Sequence, residues 1–329
     1  MELQSISELE KIIKKEYDNM TGIIVQQRGT PLYENYFHNS NENCKSHVFS
    51  VTKSIISILI GIAIDQGYIK DVHCNILDYF PEYVIKRREK KIQNITLEDM
   101  LTMTAPYKYK SAPYTKFFTS EDWVKASLDL IGGKGEIGEF FYAPVIGPDI
   151  MSGILTRATG KSVIQFAKEN LFEPLEIEVP SNLTFKTKEE QLAYYKTRYT
   201  NSWVADPNGI NTAAWGLSLS TRDMVKIGQL YLNNGRWRGR QLVSSQWVHQ
   251  STTEHSRWEK MNLSYGYLWW INEDNKGFAA MGDGGNTIYV DTKNNLVVAI
   301  TSFFKPRVND RIEFIQKEIV PKINGSVNY

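Results

Sequence analysis

The sequence predicts an α+β fold: an antiparallel sheet built from both ends of the chain and flanked by helices, with a mainly helical region inserted between them. Two β-rich segments lie within residues 22–37, four more within residues 265–304, and the residues between have mostly helical periodicity. We therefore predict a discontinuous sheet domain of residues 1–69 and 206–329, and an inserted helical region of residues 70–205.

The composition supports a folded chain and disfavours two classes of partner. Of the 329 residues, 42% are hydrophobic, which is far too many for a disordered protein. The 38 Lys and Arg residues balance 37 Asp and Glu residues, so no basic field favours nucleic acid. The most apolar run, residues 55–64, is about half the length of a spanning helix. We expect neither a nucleic-acid partner nor a membrane anchor.

The first 20 residues predict an amphipathic helix rather than a signal peptide. Leu9, Ile12, Ile13 and Tyr17 recur at helical spacing, with no basic start and no apolar core of an export signal. The two cysteines, Cys44 and Cys74, are too few for a disulfide framework. These features predict a cytoplasmic protein.

The remaining elements follow from local patterns. Residues 22–27 and 32–37 predict a hairpin, and a long apolar helix opens at Ser50. Ser220 or Thr221 with Asp223 begins a second amphipathic helix, which extends to residue 233. The C-terminal region predicts four strands followed by a terminal helix: residues 265–272, 278–281, 287–291 and 296–304, then the helix over 309–320.

Sequence motifs for dinucleotide binding, metal binding and a nucleophile elbow are either absent or lie in the wrong structural context. Residues 133–138 match GxGxxG, but a helical segment precedes them and no helix follows, so a dinucleotide fold is rejected. The five histidines form neither HExxH nor a close ligand pair with a cysteine, so we expect no metal. No GxSxG nucleophile elbow is present. An enzyme with this sequence would need another nucleophile.

One arrangement survives, an S-x-x-K tetrad from Ser50 to Lys53 at the start of the apolar helix. Positions i and i+3 lie on one helix face, so the two polar side chains can meet. An amine desolvated by the surrounding apolar residues is a base for a serine hydroxyl. Residues 302–305 repeat the tetrad, but at the end of a strand, where its Ser and Lys cannot pair in this way. From the tetrad alone, Ser50 is either a nucleophile or a simple helix cap.

Residues 47–83, HVFSVTKSIISILIGIAIDQGYIKDVHCNILDYFPEY, closely resemble the nucleophile segment of the serine β-lactamase-like family. That family includes class C β-lactamases, penicillin-binding D-alanyl-D-alanine carboxypeptidases and transpeptidases, family VIII esterases and 6-aminohexanoate-dimer hydrolases. The resemblance continues, in the family's order, through residues 95–104, 140–142, 171–175, 203–209, 215–237, 264–270 and 280–286. It implies a β-lactamase/transpeptidase-like fold and a serine hydrolase.

The resemblance also implies roles for particular residues. Ser50 would be the acylated nucleophile, Lys53 its proton-handling partner, and Tyr142 a general acid/base whose phenol has a pKa lowered by Lys53. The family's third motif falls at Asp283, Gly284 and Gly285. Asn286 would follow on the strand, and its backbone N–H would form an oxyanion hole with that of Ser50. No cofactor is implied, since serine acyl transfer of this kind needs none.

Two departures from the β-lactamase pattern narrow the expected chemistry. Ala143 and Pro144 follow Tyr142 where β-lactamases carry Ser-Asn, and Asp283 stands where they carry lysine. A carboxylate at that position would repel the free carboxylate of β-lactams and cell-wall peptides. We therefore expect hydrolysis of a small ester or amide, nearest to the 6-aminohexanoate-dimer hydrolase branch, and poor turnover of β-lactams.

Two other interpretations remain open at this point. One is a β-lactamase or D-alanyl-D-alanine carboxypeptidase, and the other is a non-catalytic member of the fold in which Ser50 only caps a helix. The expected partner is a small-molecule substrate, and the oligomeric state is left open.

Overall fold

The computed structural model describes residues 3–86, 89–272 and 277–324. Its helices are α1 Leu3–Glu16, α2 Val51–Asp65, α3 Leu97–Leu101, α4 Tyr114–Phe118, α5 Trp123–Leu130, α6 Asp149–Thr159, α7 Val163–Ala167, α8 Lys188–Lys196, α9 Thr221–Leu232, α10 Ser245–Ser251, α11 Arg311–Phe314 and α12 Val320–Asn324. Its strands are β1 Met20–Gln27, β2 Thr30–Tyr36, β3 Ser46–His47, β4 Ser181–Leu183, β5 Ser202–Val204, β6 Ser218–Leu219, β7 Arg236–Trp237, β8 Arg240–Gln241, β9 Ser256–Trp258, β10 Leu263–Tyr265, β11 Trp270–Asn272, β12 Gly277–Gly282, β13 Asn286–Asp291 and β14 Leu296–Ser302.

The main sheet joins the two ends of the chain, which confirms the predicted α+β fold. Its eight strands run in the order β2-β1-β14-β13-β12-β11-β10-β9, and every neighbouring pair is antiparallel. The junction is the β1–β14 ladder, in which Ile24 pairs with Ala299 and Val25 with Val298. The predicted N-terminal hairpin is β1 and β2.

Helices cover both faces of this sheet, because alternate residues of its central strands are apolar on both sides. On one face, Ile23 and Val25 pack in a cluster with Leu9 and Ile13 of α1 and Phe314 of α11. On the other face, α9 packs on β13 and β14, and α2 packs on β12. Helix α9 begins with the predicted Ser220 and Asp223, which form a reciprocal capping box.

Helix α2 lies in the interior of the molecule rather than on its surface. Residues 51–63 are all buried, as expected for a helix that is apolar around its whole circumference. Gly61 is where the packing is tightest, since a Cβ atom there would overlap the indole of Trp247. The largest core cluster contains residues of both α2 and the region 70–205, so the proposed domain division remains a prediction.

Two predicted C-terminal elements are wrong in their bounds. The predicted single strand of residues 265–272 is instead part of the β10–β11 hairpin, which spans residues 263–272. The connection carries apolar Leu268, whose N–H donates to Leu101 O and whose carbonyl accepts from Ser54 Oγ, so tertiary contacts replace the polar turn residues that the prediction relied on. The terminal helical segment begins at Arg311, capped by Asp310, and extends to Asn324.

Pro321 explains why the end of that segment was predicted too early. It lies in the first turn of α12, directly after a π-helical turn, Ile315–Ile319. A missing amide donor is tolerated at such a position. In the part of the chain that the structure describes, no helix has the length and hydropathy needed to cross a bilayer.

The tight contact at Gly61 gives a stability prediction for α2. Replacing a helical glycine by alanine normally stabilises a helix by about 1 kcal/mol. In Gly61→Ala the added methyl would displace Trp247, and we expect a net destabilisation of about 1–3 kcal/mol. Urea unfolding followed by tryptophan fluorescence measures the change. A gain in stability would show that the contact is loose.

Candidate active site

Ser50 occupies the N-cap position of α2, but its side chain caps nothing. The backbone of Ser50 is helical, and its hydroxyl makes no hydrogen bond to the first turn of the helix. The preceding residue, Phe49, has a φ of 51°, a conformation that is uncommon and strained for a residue with a side chain. The Ser50 hydroxyl therefore does not cap the helix, as the alternative interpretation of this residue required.

The side chain of Lys53 lies almost wholly out of solvent and is held by three acceptors. Its Nζ is 2.9 Å from Ser50 Oγ, 2.8 Å from Pro144 O and 3.1 Å from Ala214 O. Burial lowers the pKa of Lys53 to about 7, against the opposing charges of Asp283 and Asp149. A substantial fraction of this amine is neutral at neutral pH.

A neutral Lys53 amine can make contacts with the same three partners and act as a base. A neutral lysine has two N–H donors and one lone pair. The two carbonyls, Pro144 O and Ala214 O, have no proton to give and must accept the two N–H groups. The lone pair is left for the proton of the Ser50 hydroxyl. Pro144 stands where the β-lactamase pattern has an asparagine. It offers its backbone carbonyl to Lys53 in place of a side-chain amide.

Tyr142 lies beside the same pair, on an aromatic wall. Its ring stacks on Trp258 with centroids 5.6 Å apart, and lies 5.7 Å from the ring of Trp270. Lys53 Nζ is 5.6 Å from the centroid of the Tyr142 ring. Burial raises the pKa of Tyr142 to about 12, although its hydrogen bond with Ser50 opposes the shift. The expected lowering by Lys53 is therefore wrong, and Tyr142 is a protonated donor at neutral pH.

The segment that carries the family's third motif approaches Ser50 through Gly282, a residue that the sequence analysis did not select. Gly282 ends β12, and a Cβ atom there would overlap Val48 O and lie 3.1 Å from Ser50 N. Within residues 3–86, 89–272 and 277–324, the Ser50 amide donates no hydrogen bond. Glycine is the residue that permits this approach of two backbones. The sequence signal for this approach is Gly282 itself, which directly precedes the predicted residues Asp283, Gly284 and Gly285; the roles of those residues stay a prediction.

The four predicted third-motif residues lie in or beside the turn after β12. Asp283 is exposed at the start of the turn. Gly284 and Gly285 lie close to Phe303 and the Arg311 side chain, respectively. Asn286 is fully buried on β13, and its side chain binds Asp283 O, Ser302 O and Ser302 N. The Asn286 side chain therefore braces the turn against β14.

The second S-x-x-K copy is not a site. Ser302 is buried at the end of β14. Lys305 Nζ instead donates to Asp18 Oδ1, at 2.6 Å. In the described part of the chain, no group of three or more His, Cys, Asp or Glu side chains is arranged to hold a metal ion.

Asp149 is a buried carboxyl near Lys53 that the sequence analysis missed. It begins α6, and its Oδ1 accepts from Ala213 N at 2.8 Å, while Oδ2 has no partner among the described residues. Burial raises the pKa of Asp149 to about 7, and the positive charge of Lys53 opposes the shift. Because Ala214 O accepts from Lys53, Asp149 fixes the loop that holds the lysine. From the sequence it resembles an ordinary acidic residue of a first helical turn.

Comparison with known proteins identifies the family of this chain. The family model described as Beta-lactamase matches residues 11–316. The chain belongs to the Beta-lactamase family. This family member is 21% identical over 314 residues to the 6-aminohexanoate-dimer hydrolase of Paenarthrobacter ureafaciens, a match that covers 88% of this chain and 74% of that protein.

Solved structures share the fold of this Beta-lactamase family member. A family VIII carboxylesterase superposes with a TM-score of 0.72 at 16% identity, covering 97% of each chain. A penicillin-binding protein homologue from Caulobacter crescentus superposes with a TM-score of 0.69 at 16% identity, covering 92% of this chain and 91% of the other. At such low identity the agreement shows the fold alone.

The position of Asp149 predicts a shift in the reactivity of Ser50. Asp149→Asn keeps an oxygen for Ala213 N but removes the negative charge that raises the pKa of Lys53. We expect the Lys53 pKa to fall further, by about half a unit to one unit. The rate of Ser50 labelling by a fluorophosphonate, followed by intact mass across pH, should then reach its midpoint at lower pH. An unchanged midpoint would make Asp149 purely structural.

Proposed function

We propose that this protein is a serine hydrolase that cleaves a small ester or amide through an acyl-enzyme on Ser50. The observation that carries the proposal is the arrangement at Lys53 Nζ, which lies 2.9 Å from Ser50 Oγ while Pro144 O and Ala214 O accept its N–H groups. In the neutral amine, this arrangement leaves the lone pair for the proton of Ser50. A pKa near 7 matches the requirement for a general base at neutral pH.

Acylation begins when Ser50 Oγ attacks the substrate carbonyl and Lys53 takes the hydroxyl proton. The negative charge on the carbonyl oxygen is stabilised by the amide of Ser50, which has no acceptor among the described residues, and by the amide of the adjoining Gly282–Asp283 peptide. This assignment replaces the predicted Asn286 amide, because Gly282 is the residue that packs on the Ser50 backbone.

Tyr142 completes the first half of the reaction. Its protonated phenol donates to the leaving oxygen or nitrogen as the tetrahedral intermediate collapses, and the Lys53 ammonium returns a proton to the phenolate. Water then attacks the ester on Ser50, and Lys53 accepts the water proton. Lys53 returns this proton to Ser50 Oγ, which leaves as a hydroxyl, so the neutral amine is restored. The cycle needs no metal or cofactor.

The substrate class rests on the relatives' names and on the two departures from the β-lactamase pattern. A 6-aminohexanoate-dimer hydrolase and a family VIII carboxylesterase are among the similar proteins. Pro144 lacks a side-chain amide for a substrate amide, and the exposed carboxylate of Asp283 repels a substrate carboxylate. Both features favour a small ester or amide over a β-lactam or a cell-wall peptide.

The role of Ser50 is tested against the second tetrad as a matched control. Ser50→Ala should abolish hydrolysis of p-nitrophenyl acetate and butyrate, while Ser302→Ala should keep the wild-type rate within about twofold, since Lys305 is bound to Asp18. Intact mass on the same samples should show an acyl adduct on wild type and none on Ser50→Ala. Wild-type rates in Ser50→Ala would refute the mechanism, and labelling by penicillin would favour the β-lactamase alternative.

The low pKa of Lys53 sets the pH dependence. Because the base is the neutral amine, kcat/KM for p-nitrophenyl butyrate should rise with pH through a midpoint near 7. Lys53→Arg keeps a cation that does not deprotonate, so we expect a loss of roughly a hundredfold or more. Rates corrected for enzyme-free hydrolysis between pH 5.5 and 9 give the profile. A flat profile would contradict Lys53 as the base.

A further inference from the structure

His47, on β3, is a buried histidine that the proposed mechanism does not use. Its Nε2 lies 2.8 Å from Gly216 N and accepts the Gly216 N–H. A ring nitrogen that accepts carries no proton, so the neutral imidazole has its proton on Nδ1. Nδ1 has no hydrogen-bond partner among the described residues. A backbone amide therefore fixes His47 in one tautomer and occupies its accepting nitrogen.

The partner of His47 lies in the loop that holds the base. Ala214 O accepts from Lys53 Nζ at 3.1 Å, and Gly216 lies two residues further along the chain. We call residues 213–216 the base loop. Gly216 has a φ of 93°, a conformation that favours glycine, so the chain turns at the point where His47 binds it.

The contact with His47 acts on the peptide unit next to the one that binds the base. The Ala214 carbonyl belongs to the peptide unit of residues 214 and 215, and the Gly216 N–H belongs to the unit of residues 215 and 216. The carbonyl of this second unit, Trp215 O, accepts from Thr212 Oγ1, so His47 holds its other side.

Gly216 is buried, so its N–H would have no partner without His47, and a rearrangement of the base loop would relieve that cost. The two peptide units share the Cα atom of Trp215. A rearrangement at Gly216 is therefore transmitted to the Ala214 carbonyl, which is one of the acceptors of Lys53.

The ring of His47 also packs on the residue before the nucleophile. The centroids of the His47 and Phe49 rings are 3.9 Å apart. Phe49 has a φ of 51°, a strained conformation that its surroundings must hold in place. His47 thus contacts both the residue that precedes Ser50 and the loop that holds Lys53.

The surroundings of His47 keep its ring neutral. Aromatic rings pack around it, and burial lowers the pKa of His47 to about 3. In the described part of the chain, the charged side chains that line the same 300 Å³ groove are Lys196 and Arg198, and a cation disfavours a second cation beside it. A neutral imidazole can hold the Gly216 N–H throughout the pH range in which Lys53 titrates.

We propose that His47 is a positioning residue for the proton transfer from Ser50 to Lys53. Its Nε2 fixes the base loop, the Ala214 carbonyl then holds one N–H of the Lys53 amine, and the lone pair stays directed at Ser50. This inference rests on the proposed function of Ser50 as the nucleophile. His47 itself takes no proton, since Gly216 occupies its accepting nitrogen. Loss of this contact should slow acylation without weakening the binding of a ligand.

Three variants of His47 separate the acceptor from the ring. His47→Gln places an amide oxygen near the position of Nε2, His47→Phe keeps a ring for Phe49 but has no acceptor, and His47→Asn carries an amide one carbon too short. Labelling of Ser50 by a fluorophosphonate at several concentrations gives the maximal labelling rate, kinact, and the binding constant, KI. Phe and Asn should lower kinact by about tenfold or more, and Gln should keep it within about threefold of wild type. KI should change less than about twofold in all three.

His255→Phe is the matched control. The His255 ring stacks on that of Tyr267 with centroids 4.2 Å apart, and its Nε2 bonds a backbone atom, Gln250 O, but these contacts lie outside the base loop. Both constants should stay within about twofold of wild type. Thermal unfolding of each variant identifies the temperature range in which it is folded and can be labelled. Equal kinact in all three His47 variants, or a loss that appears in KI instead, would overturn the inference.

The pKa of Lys53 can be measured without turnover. Carbon-13 NMR of Lys53 Cε, assigned with Lys53→Arg, follows its protonation in the absence of substrate. A carbonyl stabilises an ammonium more than a neutral amine. Loss of the Ala214 contact in His47→Phe should therefore lower the pKa of Lys53 by about half a unit or more, while His47→Gln keeps the wild-type value.

This measurement separates the inference from the proposed function. If the pKa of Lys53 depends on the acceptor at position 47 while wild type hydrolyses no ester and is not labelled, the proposed function fails and the contact that positions Lys53 stands. If wild type hydrolyses esters and neither kinact nor the pKa of Lys53 depends on that acceptor, the positioning role fails and the hydrolase stands.

Discussion

The buried amine of Lys53 is the constraint on which the site depends. A buried lysine amine is costly unless its polar atoms have hydrogen-bond partners, and here the partners are Ser50, Pro144 and Ala214. They come from the start of α2, from the loop before α6 and from the loop after β5. Only a correctly packed molecule brings these three parts of the chain to one nitrogen. Burial of the lysine costs folding free energy. The same burial lowers the pKa of Lys53, so the amine can act as a base.

The fold supplies that burial through α2, a helix enclosed on all sides. Residues 51–63 are out of solvent, so the helix has little freedom to turn Lys53 away from Ser50. At the nucleophile itself the chain is strained, since Phe49 has a positive φ. On the sheet side, Gly282 lets β12 approach the backbone of Ser50. The contacts that enclose α2 and the start of that helix therefore also position the proposed catalytic groups.

The candidate site has a buried side and an exposed side. Lys53 and Tyr142 lie on the buried side of Ser50, with neutral hydrogen-bond partners and aromatic rings around them. Asp283 lies on the exposed side, where a charge costs little to maintain and acts on whatever approaches. The charge of Asp283 also acts on the buried side: it opposes the lowering of the Lys53 pKa by burial and adds to the raising of the Tyr142 pKa by burial.

The sequence by itself determined the features that depend on neighbours along the chain: the β1–β2 hairpin, the capped α9, the apolar α2 and the i, i+3 pairing of Ser50 with Lys53. Tertiary structure decided the features that depend on residues far apart in sequence. The pKa of Tyr142 rises because burial outweighs its hydrogen bond with Ser50. The connection at Leu268 is held by Leu101 and Ser54 in addition to the local hydrogen bond from Gly266 N to Trp269 O. Hydrophobic periodicity reports which face of an element is buried, but burial partners, desolvation and backbone approach exist only after the chain has folded.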